Sequence, residues 1–365
     1  MMRLIRYSLY CLMLTALLWQ CRTAPGNVGA VKFDPAAAPY PKLSDYAFFQ
    51  ALSPNGAVPN AGVLPYEPIT PLFTDYAHKA RYVWMPDSVQ ATVDADGRIL
   101  FPDHTVLIKT FYYPADFARP DQDWDLIETR LLMKRDGEWD AYTYIWNDED
   151  TEAELNLVGD FKPVSWADEQ GLARTVEYAV PNKNQCKSCH NQNKKLLPIG
   201  PKVRNLNAAL TYPDGTTANQ LERWQSAGKL TAGNWAAQFA PLADWDDPKT
   251  GNIADRALAY LEVNCGHCHH PEGPAHTTGL YLGTDFQEYP AQLGICKSPV
   301  AAGKGSGGRQ FGIQPGQPDS SILLYRMEAD DPGVMMPEIG RAVPHKEGIA
   351  LVREWIKGLE GDCGK

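Results

Sequence analysis

Two short stretches of this chain have the residue types and spacing for redox or metal chemistry. "NQCKSCHN" at 184–191 separates Cys186 from Cys189 by two residues and places His190 directly after them; "NCGHCHHP" at 264–271 repeats the pattern with Cys265, Cys268 and His269. Two cysteines at this spacing can chelate zinc, form a redox disulfide, or take thioether bonds to the vinyl groups of haem. The adjacent histidine favours the third. Once both sulfurs are tethered, the next imidazole is held beneath the macrocycle as its proximal iron ligand. The pattern occurs twice in a chain with 8 Cys and 8 His, which strengthens the reading for both. For the first motif a zinc knuckle or a local disulfide stays open as the alternative. The expectation is two covalently attached haem c groups, with His190 and His269 on the irons.

A methionine well downstream normally supplies the sixth ligand in such a site. "GVMMPEIG" at 333–340 offers Met336, whose backbone is biased toward an extended form by Pro337. Met335 is the runner-up, and Met327 in "SSILLYRMEA" fits a helix core better. His267 and His270 flank the ligand and are expected on the surface. Methionine–histidine ligation raises the reduction potential and leaves no open position, which suits electron transfer. The first motif differs. The strand-like "RTVEYAVPNKNQ", broken by Pro181, precedes it in place of a helix, and no methionine follows before Met327. His78 and His104 are the histidines of the preceding β-prone region and the expected sixth ligands, with Met85 and Met133 weaker.

The compartment bears on this chemistry. Arg3 and Arg6 followed by "YSLYCLMLTALLW", Tyr7 to Trp19, read as a secretory signal over 1–20, too short for a confident membrane span. Export to the bacterial periplasm is where haem c is attached and disulfides persist. Leu18 stands where a lipoprotein signal has leucine, but Gln20 occupies the place of its usual small residue. Lipidation at Cys21, cleavage near 27–30 and an uncleaved anchor all remain open, two of them attaching the protein to a membrane. Cys11 leaves with the signal, and Cys296 and Cys363 are then left as an expected disulfide. A net charge of −10 argues against nucleic acid as a partner and suits a redox protein that meets basic partners.

A chain of 365 residues with 44% hydrophobic and 21% charged residues can fold as two globular domains. Residues 21–70 are rich in Pro and Ala and read as an irregular wrapping segment. Residues 71–181 consist of short β-prone runs separated by turn residues, with Asp96-Gly97 and Asp136-Gly137 placed as hairpin turns. Tyr112, Trp139, Tyr142, Tyr144 and Trp146 are expected as core and face residues rather than as a ligand platform. Residues 182–250 hold the first motif and a connector. From 251 to 365 an all-α domain is expected, framed by "IADRALAYLEVN" leading into Cys265 and by "GIALVREWIKGLE", which aligns Ile349, Val352, Ile356 and Leu359. The predicted class is α+β and multidomain: an antiparallel β-rich domain followed by an all-α cytochrome c-like domain.

Residues 250–365 resemble the small class I cytochrome c domains through Cys265, Cys268, His269, Met336-Pro337 and the helix through Trp355. More broadly, "FPDHTVLIKTFYYP", "YTYIWNDE", "PNKNQCKSCHN", "LLPIGPK", "GQPDSSILLYRM" and "MMPEIGR" resemble a family of exported, often lipoprotein-like bacterial proteins. In that family a β-rich half precedes a cytochrome c domain, and some members are encoded beside a secreted parallel β-helix protein. The resemblance spans nearly the whole chain after the signal and implies redox character without a substrate. The expected function is a periplasmic di-haem c-type cytochrome in electron transfer, serving a redox partner protein. The alternatives are a peroxidase-like or oxidase-like haem enzyme with an open first iron, and a ligand- or partner-binding β domain served by a cytochrome.

Overall fold

Alternating apolar and polar residues in "HKARYVW", "VLIKTFYYP" and "YTYIW" place side chains on opposite faces of extended strands. In the computed structural model, which describes residues 29–364, these runs form a six-stranded antiparallel meander. The strands are β1 (Val63–Pro65), β2 (His78–Trp84), β3 (Val106–Pro114), β4 (Trp124–Arg135), β5 (Glu138–Trp146) and β6 (Ala153–Asn156), each paired with its sequence neighbour. Asp136 and Gly137, at φ 51° and 79°, turn β4 into β5 in the doubly left-handed form that suits this hairpin. The expected signal segment, Cys11 and Cys21 lie outside the described residues.

One face of the sheet buries Tyr82, Ile108, Leu131, Met133 and Tyr144 against Tyr46 and Phe48. Residues before β1 are thus more ordered than an irregular wrapping segment: they form a hairpin, Phe49–Ser53 with Gly56–Pro59. Tyr46 and Tyr144 bond hydroxyl to hydroxyl at 2.9 Å within this core. The opposite face has two apolar ends. At one, Val83, Leu107 and Leu132 pack against Val203, Leu206 and Trp224 of the connector. At the other, Phe111, Tyr113 and Ile127 pack against a second hairpin, β7 (Asp160–Ala167) and β8 (Ala173–Val180), through Trp166 and Tyr178. Between those ends the face is cationic and open, and it forms the floor of the candidate site.

Seven α-helices follow: α1 (Lys183–Cys189), α2 (Val203–Leu206), α3 (Gln220–Ser226), α4 (Trp235–Gln238), α5 (Ile253–Asn264), α6 (Ile322–Glu328) and α7 (Lys346–Lys357). The predicted all-α carboxy-terminal domain is not found. The described chain is only 21% helical against 28% strand, and residues 251–365 are poor in helix. Helical periodicity is confined to α5, the short α6 and α7. Between α5 and α6, Gly266, Gly273, Gly279, Gly283 and Gly294 alternate with Pro271, Pro274, Pro290 and Pro299. Glycine there loses too much backbone freedom, and proline lacks the amide that a helix needs, so the chain runs in loops and single 3₁₀ turns. A disulfide joins Cys296 in this loop region to Cys363 beyond α7.

These carboxy-terminal loops dock on the segment that leads into β2. Asn264 Oδ1 accepts the Phe73 amide at 2.8 Å, and Tyr76 donates its hydroxyl to Glu347 at 2.9 Å. Asp75, 2% exposed, accepts the amides of Ala342 and Val343 on one oxygen at 2.6 and 2.9 Å. Replacing Asp75 with Ala orphans both amides and should cost about 1–3 kcal/mol for each one left buried without a partner. Chemical denaturation of Asp75→Ala should therefore show a clearly lower midpoint than the parent; an equal midpoint would remove Asp75 from the docking account.

Candidate functional site

The sequence "PNKNQCKSC" begins α1 by local bonding. Asn182 accepts the amides of Asn184 and Gln185, and the Gln185 side chain accepts the Asn182 amide in return. The first motif is therefore itself a short helix set directly after β8. α5 is capped in the same way by Asn252 and Asp255, and the second motif starts at its end. Gly266 is needed there, because a Cβ at that position would strike the Leu282 and Glu262 carbonyls.

A cavity of about 500 Å³ lies between the sheet face, α1 and the carboxy-terminal loops. Cys186, Cys189 and His190 line it from the first motif, Cys265 and His267 from the second, and Met335 and Met336 from the loop. Two segments some 80 positions apart in sequence thus share one cavity. Cys189 lies near Cys268 and His267, and these neighbours, Cys268 first, hold its thiol well below the usual thiol range. The same pairing pushes Cys268 up, and burial alone pushes Cys265 up to about 12.

Burial drives both predicted proximal histidines to the neutral, ligating form, His190 to about 3 and His269 to about 4. They differ in support. His190 Nδ1 donates to the Leu197 carbonyl at 2.7 Å, leaving the Nε2 lone pair free for a metal. His269 Nδ1 is buried without a hydrogen-bond partner. His269 does not line the shared cavity. Its backbone is fixed by bonds from its amide to Cys265 and from the Leu282 amide to its carbonyl, each 2.9 Å.

Met336 is half-buried on the cavity wall, Met335 is buried beside it, and Met327 lies in the α6 core while touching the same wall. Arg341, which sequence reasoning did not single out, positions this loop. Its guanidinium donates to the Met336 carbonyl at 2.9 and 3.1 Å and to the carbonyls of Arg326, Met327 and Ala329. The two histidines expected to cap the first iron are elsewhere. His78 packs on Tyr112 and Phe117 from the opposite side of β2, because its register places it out of phase with Lys79 and Arg81. His104 sits at φ 68° in the loop before β3, on a separate surface groove with Lys187 and Asn191. Besides His190, the imidazoles that reach the cavity are His267 and His345.

The floor of the cavity contains a feature that strand register explains. Arg81 pairs across to Lys109, and Lys109 pairs across to Arg130, so three cations stand side by side on β2, β3 and β4. Arg130 is bonded to the fully buried Glu128, which also accepts the Tyr178 hydroxyl at 2.7 Å. Arg81 bonds Glu67 at 2.8 Å.

Among the described residues, no three Cys, His, Asp or Glu side chains converge as a metal-binding set, so the four motif thiols do not form a sulfur cage of the zinc type. The donors would also suit a covalently tethered haem: paired thiols, a neutral imidazole with a free Nε2 and the Met336 thioether line one cavity. Arg341→Met should speed hydrogen exchange at the Met336 amide, which bonds the Arg326 carbonyl at 2.9 Å, and destabilise the fold by about 1–3 kcal/mol. Unchanged exchange there would show that the loop holds itself. Compared with protein-family models, curated protein sequences and solved structures, the chain matches none.

Proposed function

We propose that this protein is a di-haem c-type cytochrome that transfers electrons outside the cytoplasm. The observation that supports it best is one cavity lined from both Cys-x-x-Cys segments, by Cys186, Cys189 and His190 of the first and by Cys265 and His267 of the second. Haem, when bound, supplies one-electron chemistry. The chain supplies the rest. Cys186 with Cys189, and Cys265 with Cys268, would hold the two macrocycles by thioether bonds; His190 and His269 would ligate from below. Met336, held by Arg341, is the sixth ligand this reading assigns to the second site. The nearness of Cys189 to Cys268 would place the thioether edges of the two groups close together, which would give electrons a short path between them. The signal-like start of the sequence agrees with assembly in the periplasm, and Cys21 with a lipid anchor. Among the described residues, no helix is long and apolar enough to cross a membrane.

The protein, exported with a haem-c maturation system, should carry two covalent haems by pyridine haemochrome titration and by peroxidase staining of a denaturing gel. Replacing Cys186 and Cys189 with Ser should leave one, and so should replacing Cys265 and Cys268. A single haem in the parent, lost only with Cys265 and Cys268, would return the first motif to the dithiol or zinc alternatives.

A second reading has one observation in its favour. Because His78 and His104 do not line the cavity, neither would cap an iron held there by the first motif, and an open first site would suit a haem enzyme. Carbon monoxide separates the two. On the electron-transfer reading a cavity imidazole, His267 or His345, would close the first iron, so carbon monoxide should leave the Soret band of the reduced protein unchanged, and Met336→Ala should open one haem to the gas. A fast, full shift of one haem in the parent would replace the electron carrier with the peroxidase-like or oxidase-like enzyme.

A further inference from the structure

The row Arg81, Lys109, Arg130 is electrostatically incomplete. On this face Lys79 stands two residues from Arg81, giving four cations. Two carboxylates answer them directly: Glu128 on Arg130 and Glu67 on Arg81. Asp75 is committed to the amides of Ala342 and Val343, and Glu177 lies exposed on the cavity rim. Among the described residues, neither the Lys79 nor the Lys109 ammonium has a hydrogen-bonding partner. Lys109 Nζ instead lies 4.8 Å from the centre of the Phe111 ring, with the Arg130 guanidinium 4.2 Å from the same centre. Burial and the repulsion of Arg81, Lys79 and Arg130 depress the Lys109 ammonium strongly. A lysine in such a row on a cavity floor either gives up its proton or keeps it with an anion beside it, so an anionic ligand would restore the charge.

The geometry also gives the span of that anion. α1 packs on β5, with Lys183 4.7 Å from the centre of the Tyr142 ring and 2.8 Å from Asp140. Adjacent strands are about 4.8 Å apart, so Lys109 on β3 and Arg81 on β2 stand roughly 10 and 14 Å across the sheet from β5. A porphyrin has similar breadth, so one tethered at α1 could reach both side chains. The apolar side chains Leu107, Leu132 and Ala141 line the intervening wall.

We propose that Lys109 and Arg81 form a two-carboxylate site that receives the propionates of the porphyrin tethered at Cys186 and Cys189. The inference rests on the two-haem reading above. It assigns the first macrocycle an orientation: thioether edge at α1, ring along the apolar wall, acid edge at β3 and β2. The same chemistry could be met by a diffusible dicarboxylate, and the experiment separates the two.

The haem-loaded full chain is compared with Lys109→Met, Lys109→Arg and Arg81→Met by haem count and by spectroelectrochemical titration. Removing a cation beside the acid edge leaves carboxylate charge that favours ferric iron. Lys109→Met should therefore keep two haems and move one of the two redox waves to lower potential, while the other holds. Arg81→Met should move the same wave in the same direction, and Lys109→Arg should stay at the parent value. Two haems with both waves unmoved in Lys109→Met and Arg81→Met would overturn the assignment. So would heat stabilisation of the haem-loaded parent by added succinate that is lost in Lys109→Met, since the row would then serve a diffusible dicarboxylate. A parent with one haem, and none at Cys186 and Cys189, refutes the two-haem reading itself and leaves the row without a porphyrin to receive.

Discussion

The shared cavity depends on a buried carboxylate in a strained turn. Asp75 and Tyr76 both take left-handed backbone angles, φ 46° and 64°, a conformation that costs non-glycine residues free energy unless the surroundings hold it. Here they do. The Asp75 carbonyl accepts the Tyr113 hydroxyl at 2.6 Å from the sheet, its carboxylate accepts two amides from the carboxy-terminal loop, and the Tyr76 hydroxyl reaches both Glu347 and the Lys346 amide. Sheet, turn and loop are thereby joined at one point. Burial raises the Asp75 carboxyl, opposed by the two amides and by Arg341 and Lys79. A group raised in the folded state stabilises most below its unfolded value and loses that contribution as pH climbs through the folded one. The junction is accordingly tighter in mildly acidic than in alkaline solution.

Charge placement follows the same economy. Glu128 is fully buried, an arrangement that is tolerated only because Arg130 and Tyr178 satisfy both of its oxygens. That leaves the neighbouring lysine positions as the unbalanced part of the floor. An apolar residue at 109 would continue the packing of Leu107 and remove the repulsion, so the retained lysine marks a place where the interior is shaped for something other than its own stability.

Much of the sheet was readable in the sequence, because period-two alternation and Asp-Gly turns report local geometry directly. The two motifs were readable as well, being contiguous. What was not readable depended on contacts between distant segments. Nothing near residues 184–191 says that their cavity partner is 264–268 or that an arginine at 341 holds Met336. The histidines were misplaced for a simpler reason: in "HKARYVW" the phase of the strand decides which side chains face the cavity, and His78 is one step out of it. The same phase was a missed signal. Lys79 and Arg81 in β2 and Lys109 in β3 stand on the face that also carries Val83, Leu107 and Phe111, and Arg130 in β4 stands there beside Leu132. The all-α expectation failed because two amphipathic helices at the ends of a segment say nothing about the glycine- and proline-rich chain between them.

On the electron-transfer reading, the two sites are unequal, and the inequality orders them. A charge about 10 Å away in a medium of effective dielectric near 20 is worth roughly 1.7 kcal/mol, more than the 0.5–1.5 kcal/mol of an ordinary hydrogen bond. Unanswered, the lysines would therefore dominate and make the first site the easier to reduce. Answered by two carboxylates, they largely cancel. The remaining difference is the proximal imidazole: His190 donates to the Leu197 carbonyl, which makes its Nε2 a stronger donor to iron, whereas His269 lacks that bond. The stronger donor favours ferric iron, and the thioether of Met336 at the second site favours ferrous. Both effects point the same way, so on that reading the second site would be the easier of the two to reduce.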